Sequence, residues 1–72
     1  MDQTYDFVLD LFPLSETIEN DLLARRLQES ALDLLLGGQK KDEVGLLLRI
    51  CYDLGHLDAE VLAYLEKQLR KL

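Results

Sequence analysis

Few residues of this chain could do chemistry, and two of them, Cys51 and His56, are close in sequence. A histidine that meets a cysteine side chain can take the thiol proton and leave a nucleophilic thiolate. The pattern around them works against that chemistry. Cys51 shares a helical face with Leu47, Leu48 and Leu54, while His56 follows Gly55, a natural helix stop. A buried thiol and a histidine at a helix end are expected. The carboxylate pairs Asp42-Glu43 and Asp58-Ala-Glu60 could serve acid–base catalysis, but both stand where a helix begins and negative charge is favoured. One cysteine and one histidine cannot by themselves make a four-ligand zinc site. The sequence carries no GxGxxG, P-loop, CxxC or EF-hand pattern. The expectation is a non-enzymatic protein with no cofactor, no metal and no small-molecule substrate.

Charge says more about partners. The formal net charge of −6 comes wholly from residues 1–21, where Asp2, Asp6, Asp10, Glu16, Glu19 and Asp21 meet no lysine or arginine; the remainder is balanced. Without a basic stripe neither nucleic acid nor an anionic membrane is an expected partner. The acidic end either keeps the chain soluble or complements a basic site on another protein, which makes a small acidic regulator or inhibitor the alternative function. Asp and Arg interrupt the leucine runs, so neither a membrane span nor a signal peptide is expected. With its single cysteine, a cytoplasmic location follows as the expectation.

The elements that must position these groups are helices. Leucine supplies nineteen of the 72 residues, whereas Val, Ile and Thr together supply seven, a balance that favours an all-α fold over strands. Pro13, Gly37-Gly38 and Gly55 punctuate the chain. The predicted architecture is a single domain over 1–72, a small helical bundle with antiparallel hairpin connections. It has three main helices, about 15–36, 42–54 and 58–71, and a short N-terminal helix, about 3–12, stopped at Pro13. Ser15 is the expected N-cap of the longest helix, Asp42 and Asp58 those of the next two.

The longest predicted helix has two apolar sides. Leu23, Ala24, Leu27, Ala31, Leu34 and Leu35 fall on one stripe, and Ile18, Leu22, Leu32 and Leu36 gather nearly opposite. At about 33 Å it would outreach the next two helices, at about 20 Å each, and leave part of itself uncovered. In the third segment, Val44, Leu47, Leu48, Ile50, Cys51 and Leu54 form a broad apolar face, with Leu46 at its margin and Gly45 either allowing a close backbone approach or marking a weak turn. In the last, Leu57 precedes the cap Asp58 and can staple onto Leu62, while Leu57, Val61, Leu65, Leu69 and Leu72 line one face. The stretch Tyr52 to Lys67 resembles the turn of a tetratricopeptide hairpin, although its turn glycine stands one residue too far from Tyr64-x-x-Lys67. The resemblance implies a helix-turn-helix connection and no more.

The N-terminal segment is the greasiest for its place. Tyr5, Val8 and Phe12, with Leu9, follow helical spacing, and Phe7 and Leu11 make a second ridge. Residues 1–13 are therefore an acidic-hydrophobic segment that could cover the chain's own bundle, a second copy in a homodimer, or a separate partner. A core of this size usually supplies only about 3–5 kcal/mol, which makes surplus apolar surface worth burying against another chain. The candidate interaction residues are Tyr5, Phe7, Val8, Leu11, Phe12, Ile18, Leu22, Leu32 and Leu36, joined by Tyr52 and Tyr64, whose rigid amphipathic rings suit interfaces. A protein partner or homo-oligomer, with a dimer favoured, is the expected assembly.

Overall fold

The structure is a computed structural model that describes residues 3–72. The chain folds into four helices, α1 (Gln3–Thr17), α2 (Asp21–Leu35), α3 (Lys41–Asp53) and α4 (Ala59–Arg70), and no strand is present among the described residues. The fold is all-helical, as the leucine-rich composition implies. Each helix packs on the next, and α1 also touches α4, which closes the bundle. The Cα radius of gyration is 11.0 Å, close to the roughly 11 Å expected of a folded domain of this length.

The first two helices depart from the sequence expectation. Pro13 lies inside α1 and does not end it. A proline lacks the N–H that would bond the carbonyl four residues earlier, here that of Leu9. Leu9 and Pro13 both sit on the exposed face, so the freed carbonyl lies on the water side and the helix continues. Ser15 is consequently no cap. It is buried in α1, where its hydroxyl donates to the Phe12 carbonyl at 2.7 Å and accepts from Gln28 Nε2 at 2.9 Å, tying α1 to α2. Thr17 Oγ1 donates to the Leu14 carbonyl at 2.7 Å and so helps to finish the helix.

The chain then breaks at residues 18–20 and restarts with Asn20 as N-cap, its Oδ1 accepting the Leu23 N–H at 3.1 Å. The single long helix predicted from Ser15 is therefore split: residues 15–17 finish α1, which is about 22 Å long, and α2 takes up the rest. Ile18 is buried inside the break and is not part of the α2 stripe to which spacing assigned it.

The other boundaries sit close to those expected. Asp58 caps α4 through Oδ1 and the Val61 N–H at 2.9 Å, and Leu57 and Leu62 both enter the core. At α3 the N-cap is Lys40, with no side-chain cap bond, and Asp42 lies in the first turn instead of capping it. Two helices end alike. Gly37 and Gly55 take positive φ, +87° and +83°, and the next N–H reaches back five residues, Gly38 to the Asp33 carbonyl and His56 to that of Cys51. Both turns are Schellman caps that need glycine at this position. Gly45 is a close approach more than a weak turn: a Cβ there would meet Leu69 Cδ2 of α4 at 3.3 Å.

The core draws on every element. Phe7, Val8 and Leu11 of α1, Ile18 in the α1–α2 break, Leu23, Leu27, Ala31 and Leu34 of α2, Val44, Leu47, Leu48 and Cys51 of α3, and Leu57, Leu62, Leu65 and Leu69 near and along α4 form one cluster. On α4 the buried face centres on Leu62, Leu65 and Leu69, and Val61, expected inside, is exposed at its edge.

Candidate interaction surface

The chemically capable pair is held by the α3–α4 turn. Cys51 is fully buried, and burial pushes its thiol above the ordinary value of 9.0, against a smaller lowering by its own backbone hydrogen bond. A nucleophilic thiol needs the opposite shift. His56 contributes its backbone N–H to the Cys51 carbonyl at 2.8 Å, as a helix terminator does. Among the described residues no three His, Cys, Asp or Glu side chains gather as a metal set. The paired carboxylates are accounted for by the helix starts, Asp42 and Glu43 in the first turn of α3 and Asp58 as the cap of α4.

What the fold does assemble on its surface is apolar. Of the residues picked out by sequence, Phe7, Val8, Leu11 and Ile18 lie in the chain's own core, and Phe12 packs against it half-buried. They cover the bundle itself, because the extended α1 lays that ridge along α2 and over α4. Tyr5, Leu22, Leu32, Leu36, Tyr52 and Tyr64 are exposed. Three of these belong to one face: Leu22 is 68% exposed, Leu32 46% and Leu36 87%, directly opposite the buried Leu23, Leu27, Ala31 and Leu34 of the same helix.

Sequence reasoning missed part of this surface. Leu46, Ile50 and Leu54, spaced four apart on α3, form an exposed ridge, whereas Ile50 and Leu54 were assigned to the buried face. A cleft of about 210 Å³ lies between this ridge and α2, bounded by Leu22, Leu23, Arg26, Leu47, Ile50 and Leu54. The signal for the ridge was the four-residue spacing on the side away from Val44, Leu48 and Cys51; the breadth of the apolar arc hid it. Tyr52 lies on another side of α3, with the Arg49 guanidinium 5.9 Å from the ring centre, a cation–π contact.

Tyr64 belongs to a different region. It lines a cleft of about 260 Å³ between α1 and α4 with Asp6, Asp10, Gln68 and Lys71, so it lies apart from the α2–α3 leucines. The acids of the N-terminal third, Asp6, Asp10, Glu16, Glu19 and Asp21, are all exposed; Asp2 lies outside the described residues. The ion pair found among the described residues is Lys40–Glu43 at 3.9 Å, and it leaves those acids unpaired there. No helix of the described residues is long and apolar enough to cross a membrane. A scan against protein-family models, a search of curated proteins and a search of solved structures each found no match to this chain.

Proposed function

We propose that this chain is a non-enzymatic protein-interaction module: an adaptor, a small assembly or secretion chaperone, or a subunit that completes its burial against another chain. The observation that supports it is the face formed by Leu22, Leu32 and Leu36 on α2 beside Leu46, Ile50 and Leu54 on α3, exposed although the core is filled by other side chains. Exposed leucine and isoleucine side chains in this number on a small domain, three of them meeting at one cleft, mark a place where another chain packs. No cofactor enters this function. A reducing compartment such as the cytoplasm suits the free buried thiol of Cys51.

The test pairs light scattering of the full chain, from micromolar to millimolar, with pull-downs by the wild type and by a Leu46→Ser/Leu54→Ser variant. The expected result is self-association or a retained partner for the wild type, weakened in the variant. A chain that stays monomeric throughout and retains nothing above the variant's background overturns the reading.

A second reading, an acidic regulator that occupies a basic site, is favoured by Asp6, Asp10, Glu16 and Glu19, which are exposed and have no ion-pair partner among the described residues. It predicts binding that falls steeply with salt and with Asp6→Asn/Asp10→Asn, where an apolar interface is indifferent to both.

A further inference from the structure

Five residues on the outward side of α2, Leu22, Arg25, Glu29, Leu32 and Leu36, are all exposed. Their spacing is three, four, three, four, the repeat of a coiled-coil seam, and at 100° per residue they fall within one narrow strip opposite the core. Read along the helix the strip is apolar, positive, negative, apolar, and then a further leucine at the C-cap.

From that order, and resting on the interaction reading above, we propose that a second copy of this chain packs antiparallel on α2. Leu22 then meets Leu32 of the second copy, and Arg25 meets Glu29 of the second copy. The two-fold operation repeats both contacts, giving two leucine layers that flank two Arg–Glu pairs. The strip is self-complementary only in this register. Sliding the helices by one seam position sets Arg25 or Glu29 against leucine, and a parallel pair sets Arg25 on Arg25 and Glu29 on Glu29, like charges facing across the seam. Neither arginine nor glutamate has an ion-pair partner among the described residues of its own chain.

The ends agree with the same orientation. Glu16, Glu19 and Asp21 lead into α2, while Lys40 and Lys41 follow it. Antiparallel packing brings the acidic approach of one copy toward the basic exit of the other, and it opposes the two helix dipoles. The α3 ridge flanks the seam across the Leu22–Ile50–Leu54 cleft, adding apolar surface that two fifteen-residue helices alone lack for a stable dimer.

The experiment is charge exchange followed by sedimentation equilibrium of the full chain, with circular dichroism to establish that each variant is folded; both positions are exposed, so the fold tolerates them. Arg25→Glu alone sets two carboxylates against each other at both symmetric positions, and Glu29→Arg alone does the same with two cations. Each single variant is expected to associate about tenfold to a hundredfold more weakly than wild type. The double variant Arg25→Glu/Glu29→Arg restores wild-type association. So does an equimolar mixture of the two single variants, now as a heterodimer. Single variants that weaken association without rescue in the mixture overturn the register. Association that ignores Arg25 and Glu29 but is lost in Leu46→Ser/Leu54→Ser overturns the α2 seam and leaves the interaction module standing. A wild type that is monomeric at millimolar concentration overturns self-pairing, and capture of a foreign protein by the same chain then decides the broader function separately.

Discussion

Helices α1 and α2 are each fifteen residues long, yet they divide their apolar side chains differently. α1 turns Phe7, Val8 and Leu11 into the core, packs Phe12 and Leu14 against it, and leaves Tyr5 and Leu9 outside. α2 buries Leu23, Leu27, Ala31 and Leu34, and exposes Leu22, Leu32, Leu35 and Leu36. The segment that looked most like a hook for another protein is the lid of the bundle, and the helix that looked like its backbone carries the free surface. Apolar content does not separate the two roles. The phase of each side chain about its own helix axis does, and that phase is set by where the helix begins.

The comparison breaks most easily at Phe7. Removing a side chain that is 2% exposed costs about 3–5 kcal/mol, which equals the whole net stability of roughly 3–5 kcal/mol available to a chain of this size. Phe7→Ala is therefore expected to be largely unfolded by circular dichroism at 25 °C. An unchanged urea midpoint would place α1 outside the core and return it to the role of a hook.

Pro13 tests the opposite sign. An interior proline is less favourable than alanine by about 3 kcal/mol, and the unused Leu9 carbonyl lies on the exposed side of α1. Pro13→Ala is expected to stabilise the chain by up to about 3 kcal/mol, read as a higher urea midpoint with the slope unchanged. A loss of stability would mean that Pro13 itself helps to fit α1 to α2.

The helix ends give smaller effects. Gly37→Ala places a Cβ in the left-handed region at φ +87°, where the cost is about 1–2 kcal/mol. Nothing lies within 4 Å of that Cβ, so the loss is conformational and not steric. Gly55→Ala, at φ +83° with the same open surroundings, is expected to match it.

Much of this arrangement was legible from residue types alone. Gly37-Gly38 and Gly55 mark the ends of two helices, Asp58 marks the start of α4, and leucine periodicity places Leu23, Leu27, Ala31 and Leu34 on one stripe, which packing turns inward, while Leu35 of the same stripe is exposed. The α1–α2 boundary was not legible, because two local signals competed. Pro13 followed by Ser15, Glu16 and Glu19 matches the start of a helix, and Asn20-Asp21 matches it equally well. Only the half-buried Ser15–Gln28 hydrogen bond and the packing of Ile18 decide for the second, and both depend on contacts across the sequence. The α3 ridge was hidden for a related reason. An apolar arc as wide as that from Leu46 to Leu54 can be covered only as far as neighbouring helices reach, and that reach is a property of the packed bundle.

The smallest expected effect divides the two faces of α2 most sharply. Leu32 and Leu34 are the same residue type, two positions apart in one helix, and leucine and alanine have nearly equal helix propensity. Leu34 is buried and Leu32 is 46% exposed. Leu34→Ala is expected to cost about 2–5 kcal/mol. Leu32→Ala, measured at dilutions where copies do not associate, is expected to stay within about 0.5 kcal/mol of wild type. Because propensity cancels in the pair, the difference reports burial alone. Equal losses at both positions would show that the outward leucines already support the single chain, leaving them no surplus to offer a partner. Near-neutrality at Leu32, with a loss that grows as concentration rises, is the behaviour of a side chain whose burial is completed only by another molecule.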